Sequence, residues 1–187
     1  ISGVRVECGA GGVVSGRILM EDIDVRDFKN ETWGVGISSF YGISVTLRRV
    51  HVHNNNRGFW PRWGNAYRVE NCIFRHNLQG IRASAFDGLW IGGQTIIESN
   101  DYQGFILSME DHCYRLTLAD VWLENNNVIS SGANDAVFIQ PDVSGTYLNG
   151  MTLRNVKFNG GRGNLGFTNV NSVRYENVTW NTGVFLP

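Results

Sequence analysis

One arrangement of apolar and polar positions recurs along the chain: apolar, any, apolar, any, Asn/Asp/Arg, small apolar, any, apolar. It reads ILMEDIDV from Ile18, VTLRRVHV from Val45 and YRVENCIF from Tyr67. It returns as LTLADVWL from Leu116, MTLRNVKF from Met151 and VRYENVTW from Val173, and a degraded copy, LWIGGQTI, starts at Leu89. Successive starts are 27, 22, 22, 27, 35 and 22 residues apart. A basal unit near 22 residues with occasional insertions suits a solenoid, because extra residues loop out without disturbing stacked repeats.

Positions 1 and 3 alternate with polar residues, as do positions 6 and 8, so each pair points inward with the period of a strand. Between positions 3 and 6 the phase slips by one, which requires a sharp bend. Position 5 holds Asp22, Arg49, Asn71, Asp120, Asn155 and Asn177. Asn and Asp accept a left-handed backbone and hydrogen-bond their own turn. A second turn follows position 8, at Asn54-Asn55-Asn56, His76-Asn77, Ser99-Asn100, Asn125-Asn126-Asn127 and Asn159-Gly160. A third strand then enters at Gly58, Gly80, Gly104 and Ala136. The pattern predicts an all-β parallel β-helix of about seven coils, each with three short strands. A leucine-rich repeat, the competing solenoid, calls for a helical or 3₁₀ segment and a stricter Leu/Asn consensus; the three-strand pattern fits it poorly.

Composition agrees with a turn-rich chain: 23 glycines against 3 prolines in 187 residues. That length suits a single domain, 1–187, with a substantial core. A formal net charge of −1 gives no reason to expect nucleic acid or an anionic membrane as a partner. No apolar run is long enough to suggest membrane insertion. Cys8, Cys72 and Cys113 are too few and too scattered for a disulfide framework and read as small buried residues. The chain begins at Ile1 with no charged leader, and we expect it to be a piece of a longer protein.

Coils of this length with Asn at the corner between the second and third strands resemble the pectate-lyase-like right-handed β-helices. Taken with the lack of helical patterning, the chain is most similar to the central domain of a bacteriophage tail spike or capsule depolymerase. The resemblance implies a right-handed single-stranded parallel β-helix, a homotrimer, and a place on the virion tail or outside the cell. It implies a bacterial polysaccharide or oligosaccharide as partner and no cofactor. None of that family's catalytic motifs can be matched residue by residue.

Equivalent positions of successive coils stack about 4.8 Å apart, so the repeat can be read down its columns as a surface map. Position 4 runs Glu21, Arg48, Glu70, Gly92, Ala119, Arg154, Glu176, a solvated charge ladder. The residue after position 8 runs Arg26, His53, Arg75, Glu98, Glu124, Asn159. Neighbouring carboxylates at Glu98 and Glu124 have the spacing of a retaining glycosidase, and crowding would raise one pKa to give an acid and a base together. An ordinary charged corner has the same spacing. Asp101 and Tyr102, three and four residues on, pair an acid with a ring that suits a sugar face; the alternative is turn chemistry. Asp111 and His112 form an acid–imidazole pair with no third member.

Aromatic and basic residues gather in the central coils. The outward third-strand column holds Trp60, Arg82, Ile106 and Phe138, and the position-7 column holds Asp24, His51, Ile73, Ile96, Trp122 and Lys157. Trp60, Arg75, Arg82, Trp90, Tyr102 and Trp122 are therefore the substrate-binding candidates, with Glu98, Glu124 and Asp101 the catalytic ones. An outward apolar run is either a sugar platform or a face covered by another subunit. His51, His53 and His76 lack metal-ligand spacing along the chain, so no metal is expected. Gly92-Gly93-Gln94 breaks the template and suggests a bulge. The interruptions from Asn30 to Tyr41 and from Val128 to Gly150 are expected to wall a groove beside it. Three functions follow: a polysaccharide hydrolase, a non-enzymatic trimeric spike, or a secreted lyase or epimerase using Arg75 or Arg82.

Overall fold

The computed structural model describes residues 2–7, 17–29, 34–127, 137–160 and 165–181. Within them every regular element is a strand and every strand pairing is parallel. The chain winds as a three-sided β-solenoid. The first side stacks Ile18–Glu21 on Val45–Arg48, then residues 67–70, 89–92, 116–119, 151–154 and 173–176. The second side stacks Asp24–Arg26 on His51–His53 and Ile73–Arg75, then residues 96–98, 122–124, 157–159 and Thr179–Asn181. The third side runs Ser2–Glu7, Val35–Phe40, residues 57–62 and 79–84, Phe105–Met109, Val137–Pro141 and Leu165–Phe167. Arg57–Glu70 and Gln79–Glu98 are continuous strands that turn corners and so serve more than one side.

Each side stacks seven strands among the described residues, but only the five interior ones are paired on both faces, so about five turns are enclosed between neighbours where the sequence pattern suggested seven. Much of what reads as insertion in the sequence is regular structure. Val35–Phe40 and Val137–Pro141 are third-side strands, and residues 30–33 and 128–136 of the expected groove walls lie outside the described residues.

The apolar positions of the repeat meet in one core. Leu47, Val69, Ile91, Leu118 and Leu153 stack beneath the first side, and Val52, Phe74, Ile97, Leu123 and Phe158 beneath the second, all at most 2% exposed. The bends work as the sequence implies: position 5 has positive φ at Asp22, Arg49, Asn71, Asp120, Asn155 and Asn177. The next corner is left-handed at Asn54, His76, Ser99 and Asn125. The third, at Ser44, Ala66, Gly88, Arg115, Gly150 and Ser172, is equally regular but has no residue signature.

Inside the second corner, Asn55, Asn77, Asn100 and Asn126 form a buried ladder. Each Oδ1 from Asn77 onward accepts both the backbone N–H and the carboxamide of the preceding asparagine, at 2.8–3.3 Å. Each Nδ2 donates to a core-strand or corner carbonyl, such as Val52 O at 3.0 Å from Asn77. Buried polar groups at a tight turn must be satisfied internally, and the ladder does so coil by coil.

Candidate functional site

The outer face of the second side carries the columns that the sequence singled out. The register places Arg26 beside His53, His53 beside Arg75, Arg75 beside Glu98, Glu98 beside Glu124, and Glu124 beside Asn159. The carboxylates therefore occupy adjacent rungs. Two strand positions away on the same face run Asp24, His51, Ile73, Ile96, Trp122 and Lys157. The degraded copy keeps this register because Gln94 is one extra residue, accommodated as a bulge between Ala119 and Val121 of the next coil. Gly93 and Gln94 both take positive φ there. Thr95, which replaces an apolar residue inside the bulge, is satisfied: its hydroxyl donates to Gly92 O at 2.6 Å and accepts from Cys72 N–H at 3.3 Å.

Beside the bulge lies an open cleft of about 830 Å³, lined in part by Gln94, Ile96, Asp120, Trp122 and Lys157. Trp122 is 40% exposed, and the Lys157 ammonium lies 4.4 Å from its ring centroid. On the opposite margin of this face Glu98 and Glu124 are half-buried, and Glu124 Oε1 accepts a hydrogen bond from Asn159 Nδ2 at 2.9 Å. One face thus combines two neighbouring carboxylates, Arg75 one rung from Glu98, an apolar floor of Ile73 and Ile96, and an exposed indole. Such a face can hold a sugar chain by stacking and place two acids against a glycosidic bond.

The other candidates are dispersed around the solenoid. Asp101 and Tyr102 are half-buried at the corner beyond Asn100, where their backbone N–H groups donate to Asn77 O and Leu78 O at 2.9 and 2.8 Å. Trp90 lies on the first side under the Arg68 guanidinium, 4.1 Å from its centroid. Arg82 is half-buried on the third side. Trp60, expected as an outward platform, is only 6% exposed. Its ring is packed edge-on by Phe40 at 5.3 Å and covered by Arg57 and Arg62, whose guanidinium carbons lie 4.6 and 5.3 Å from its centroid. Ile106 in the same column is also 6% exposed. The third-side apolar run is therefore largely roofed by side chains of the same chain. Burial, and after it the charges of Arg82 and Arg62, pushes the Arg57 guanidinium down to about 10.

A second cleft, of about 370 Å³, brings Asp111 and His112 near Tyr41, Trp63, Asp87 and Tyr114. Tyr41 and Trp63 stack at 5.2 Å, but Asp87 is engaged by Arg115 at 2.6 Å and His112 packs on Tyr147 at 4.1 Å. The charge ladder of position 4 is present as expected, with Arg48 bonded to Glu70 at 3.0 Å and to Glu21 at 3.3 Å. The sequence reading missed one cluster. His51 and His53 gain Asp24 from the preceding coil, and one potential ligand atom from each lies within 4.8 Å of the others. His76 takes no part in this group, and the spacing along one strand could not reveal an acid on the neighbouring rung.

No family model matches the chain, and no curated protein does. Among solved structures it is similar to a putative glycosyl hydrolase from Parabacteroides merdae, with a TM-score of 0.54 at 11% sequence identity. The match covers 76% of this chain and 78% of that one. At that identity the likeness speaks for the fold.

Proposed function

We propose that this β-helix binds a bacterial polysaccharide along its second side and hydrolyses it with Glu98 and Glu124. The observation that carries the reading is the placement of these carboxylates on adjacent rungs, on the face that also exposes Trp122 beside the 830 Å³ cleft. The name of the structural neighbour supports the same class of chemistry. One glutamic acid protonates the glycosidic oxygen as the other's carboxylate attacks the anomeric carbon and the C–O bond breaks; water then cleaves the glycosyl ester, returning the proton to the first glutamate. Strand-to-strand separation of about 4.8 Å is close to the roughly 5–5.5 Å of retaining enzymes and short of the inverting range, so retention of configuration is expected.

The proposed setting is a homotrimeric tail-spike-like protein on a virion or otherwise outside the cell. Its support is the resemblance carried by the repeat and its corner asparagines.

A depolymerisation screen against capsular and O-antigen polysaccharides tests the reading, following reducing ends and unsaturated-uronate absorbance together. New reducing ends without the chromophore, reduced at least about a thousandfold in both Glu98→Gln and Glu124→Gln, are expected. Appearance of the chromophore would replace hydrolysis with elimination and turn attention to Arg75. Folded, trimeric protein that is inert across the panel would favour a receptor-binding spike.

A further inference from the structure

We propose that Asp24, His51 and His53 form a site for one divalent transition-metal cation of the zinc class. His51 and His53 flank the fully buried Val52, so strand alternation turns both imidazoles outward on the same side. Asp24 is the direct rung neighbour of His51. Three donors from two coils thereby converge where neither strand alone has more than two.

The distances bring one carboxylate oxygen close to both imidazoles. Asp24 Oδ2 lies 3.5 Å from His51 Nδ1 and 3.4 Å from His53 Nε2, which is also within hydrogen-bonding distance of Oδ1 at 3.2 Å. With metal–ligand bonds of about 2.0–2.1 Å, the edge of a tetrahedron is roughly 3.3–3.4 Å, close to both Oδ2 distances. The imidazoles are stacked, with centroids 4.3 Å apart and planes 24° from parallel, so they support one another's orientation. The side chains are 25%, 13% and 53% exposed for His51, His53 and Asp24, which leaves the cluster open on the aspartate side for water.

Two imidazoles and one carboxylate select zinc, cobalt or nickel over calcium and magnesium, which prefer all-oxygen sites. Neutral imidazole is the ligating form. Burial, and then the charges of His53 and Arg75, pushes His51 below its ordinary pKa, while Asp24 acts in the opposite direction. Arg26, whose Nε is 4.0 Å from Asp24 Oδ1, and Arg75 on the next rung oppose a dication and weaken its binding. His53 shares its column with Arg75 and Glu98, so the cation would stand two rungs, about 10 Å, from Glu98. That is too far to act on the same glycosidic bond, and the inference stands independently of the proposed hydrolysis.

Titration of the full chain with Zn(II) by calorimetry, and with Co(II) by visible absorption, tests the site. One equivalent should bind, with the intense bands of four-coordinate Co(II). Asp24→Ala, His51→Ala and His53→Ala should each weaken binding at least about tenfold with the circular dichroism unchanged, and His76→Ala should leave it intact. No Zn(II) binding below about 1 mM would overturn the proposal. So would binding indifferent to the three substitutions, equal loss in His76→Ala, or a preference for Ca(II).

Discussion

Replacing Asn77 with alanine removes the middle of the buried ladder, and the structure sets the size of the loss. The side chain is fully buried. Its Oδ1 accepts from the backbone and side-chain amides of Asn55, each at 3.0 Å, and its Nδ2 donates to Val52 O at 3.0 Å and Asn100 Oδ1 at 3.2 Å. Asn55 Nδ2 keeps His53 O at 2.8 Å, and Asn100 Oδ1 keeps the Asn77 backbone N–H at 3.0 Å. The group left without a partner is the Asn55 backbone N–H; the Val52 carbonyl, in the ladder with Ile73–Arg75, loses its second donor, and the carboxamide chain is interrupted. At about 1–3 kcal/mol for that unsatisfied donor and about 1 kcal/mol for the other hydrogen bonds lost, the expected destabilisation is about 2–4 kcal/mol. Set against a total stability of roughly 5–15 kcal/mol, that is a large share. Urea unfolding followed by far-ultraviolet circular dichroism measures it, with Asn71→Ala as the comparison. Asn71 is also a left-handed corner residue, but it is exposed, so its loss should cost about 1 kcal/mol. A loss below about 1 kcal/mol for Asn77→Ala, or one equal to that of Asn71→Ala, would refute the assignment of the ladder as a major stabilising device.

Two further outcomes follow from the packing. An added Cβ at Gly80 would stand 2.5 Å from Gly104 O and 2.9 Å from Asn100 Nδ2, so Gly80→Ala should lower Tm by about 3–10 °C in calorimetry; an unchanged Tm would mean that the third-side strands yield more easily than their spacing implies. Burial pushes the Cys72 and Cys113 thiols up to about 11, against an unfolded value near 9.0. Their contribution to stability is therefore complete below pH 9 and lost as pH rises towards 11, because the unfolded chain releases thiol protons that the folded chain retains. The urea midpoint should fall between pH 9 and 10.5 more steeply than in a Cys72→Ala/Cys113→Ala variant, and parallel curves would contradict it.

Most of the fold could be read from the sequence because a parallel solenoid turns a repeat into a register. Aligning Val45 with Tyr67 and Leu116 with Met151 predicts which residues share a rung, and the strand pairings agree. The corner before position 1 was illegible because Ser44, Ala66 and Arg115 share a backbone state without sharing a chemistry. For the site, the columns showed which carboxylates would be neighbours but not what covers a side chain. Trp60 points outward in the pattern yet is roofed by Arg57, Arg62 and Phe40, because long side chains fold over the spaces between rungs. Contacts that skip a coil, such as Arg62 Nη2 to Glu110 Oε2 at 2.6 Å, do not follow from nearest-rung reasoning. The Asp24–His51–His53 group does not follow from the spacing of the histidines along their strand, because its third member is the acid that position 7 puts on the next rung.

The ladder of buried carboxamides also governs how such a protein can change its length. Asn55, Asn77, Asn100 and Asn126 are joined head to tail, every amide oriented the same way, with one member in each of four successive turns. A segment that begins and ends at the same corner, such as residues 67–88, carries one ladder asparagine, Asn77, and one strand for each side. Its removal would bring Asn55 against Asn100 with donor facing acceptor, whereas deletion of part of a turn would strand a polar amide in the apolar interior. The solenoid is therefore modular in whole turns: evolution or design can splice complete cassettes in and out, and the asparagine enforces the reading frame.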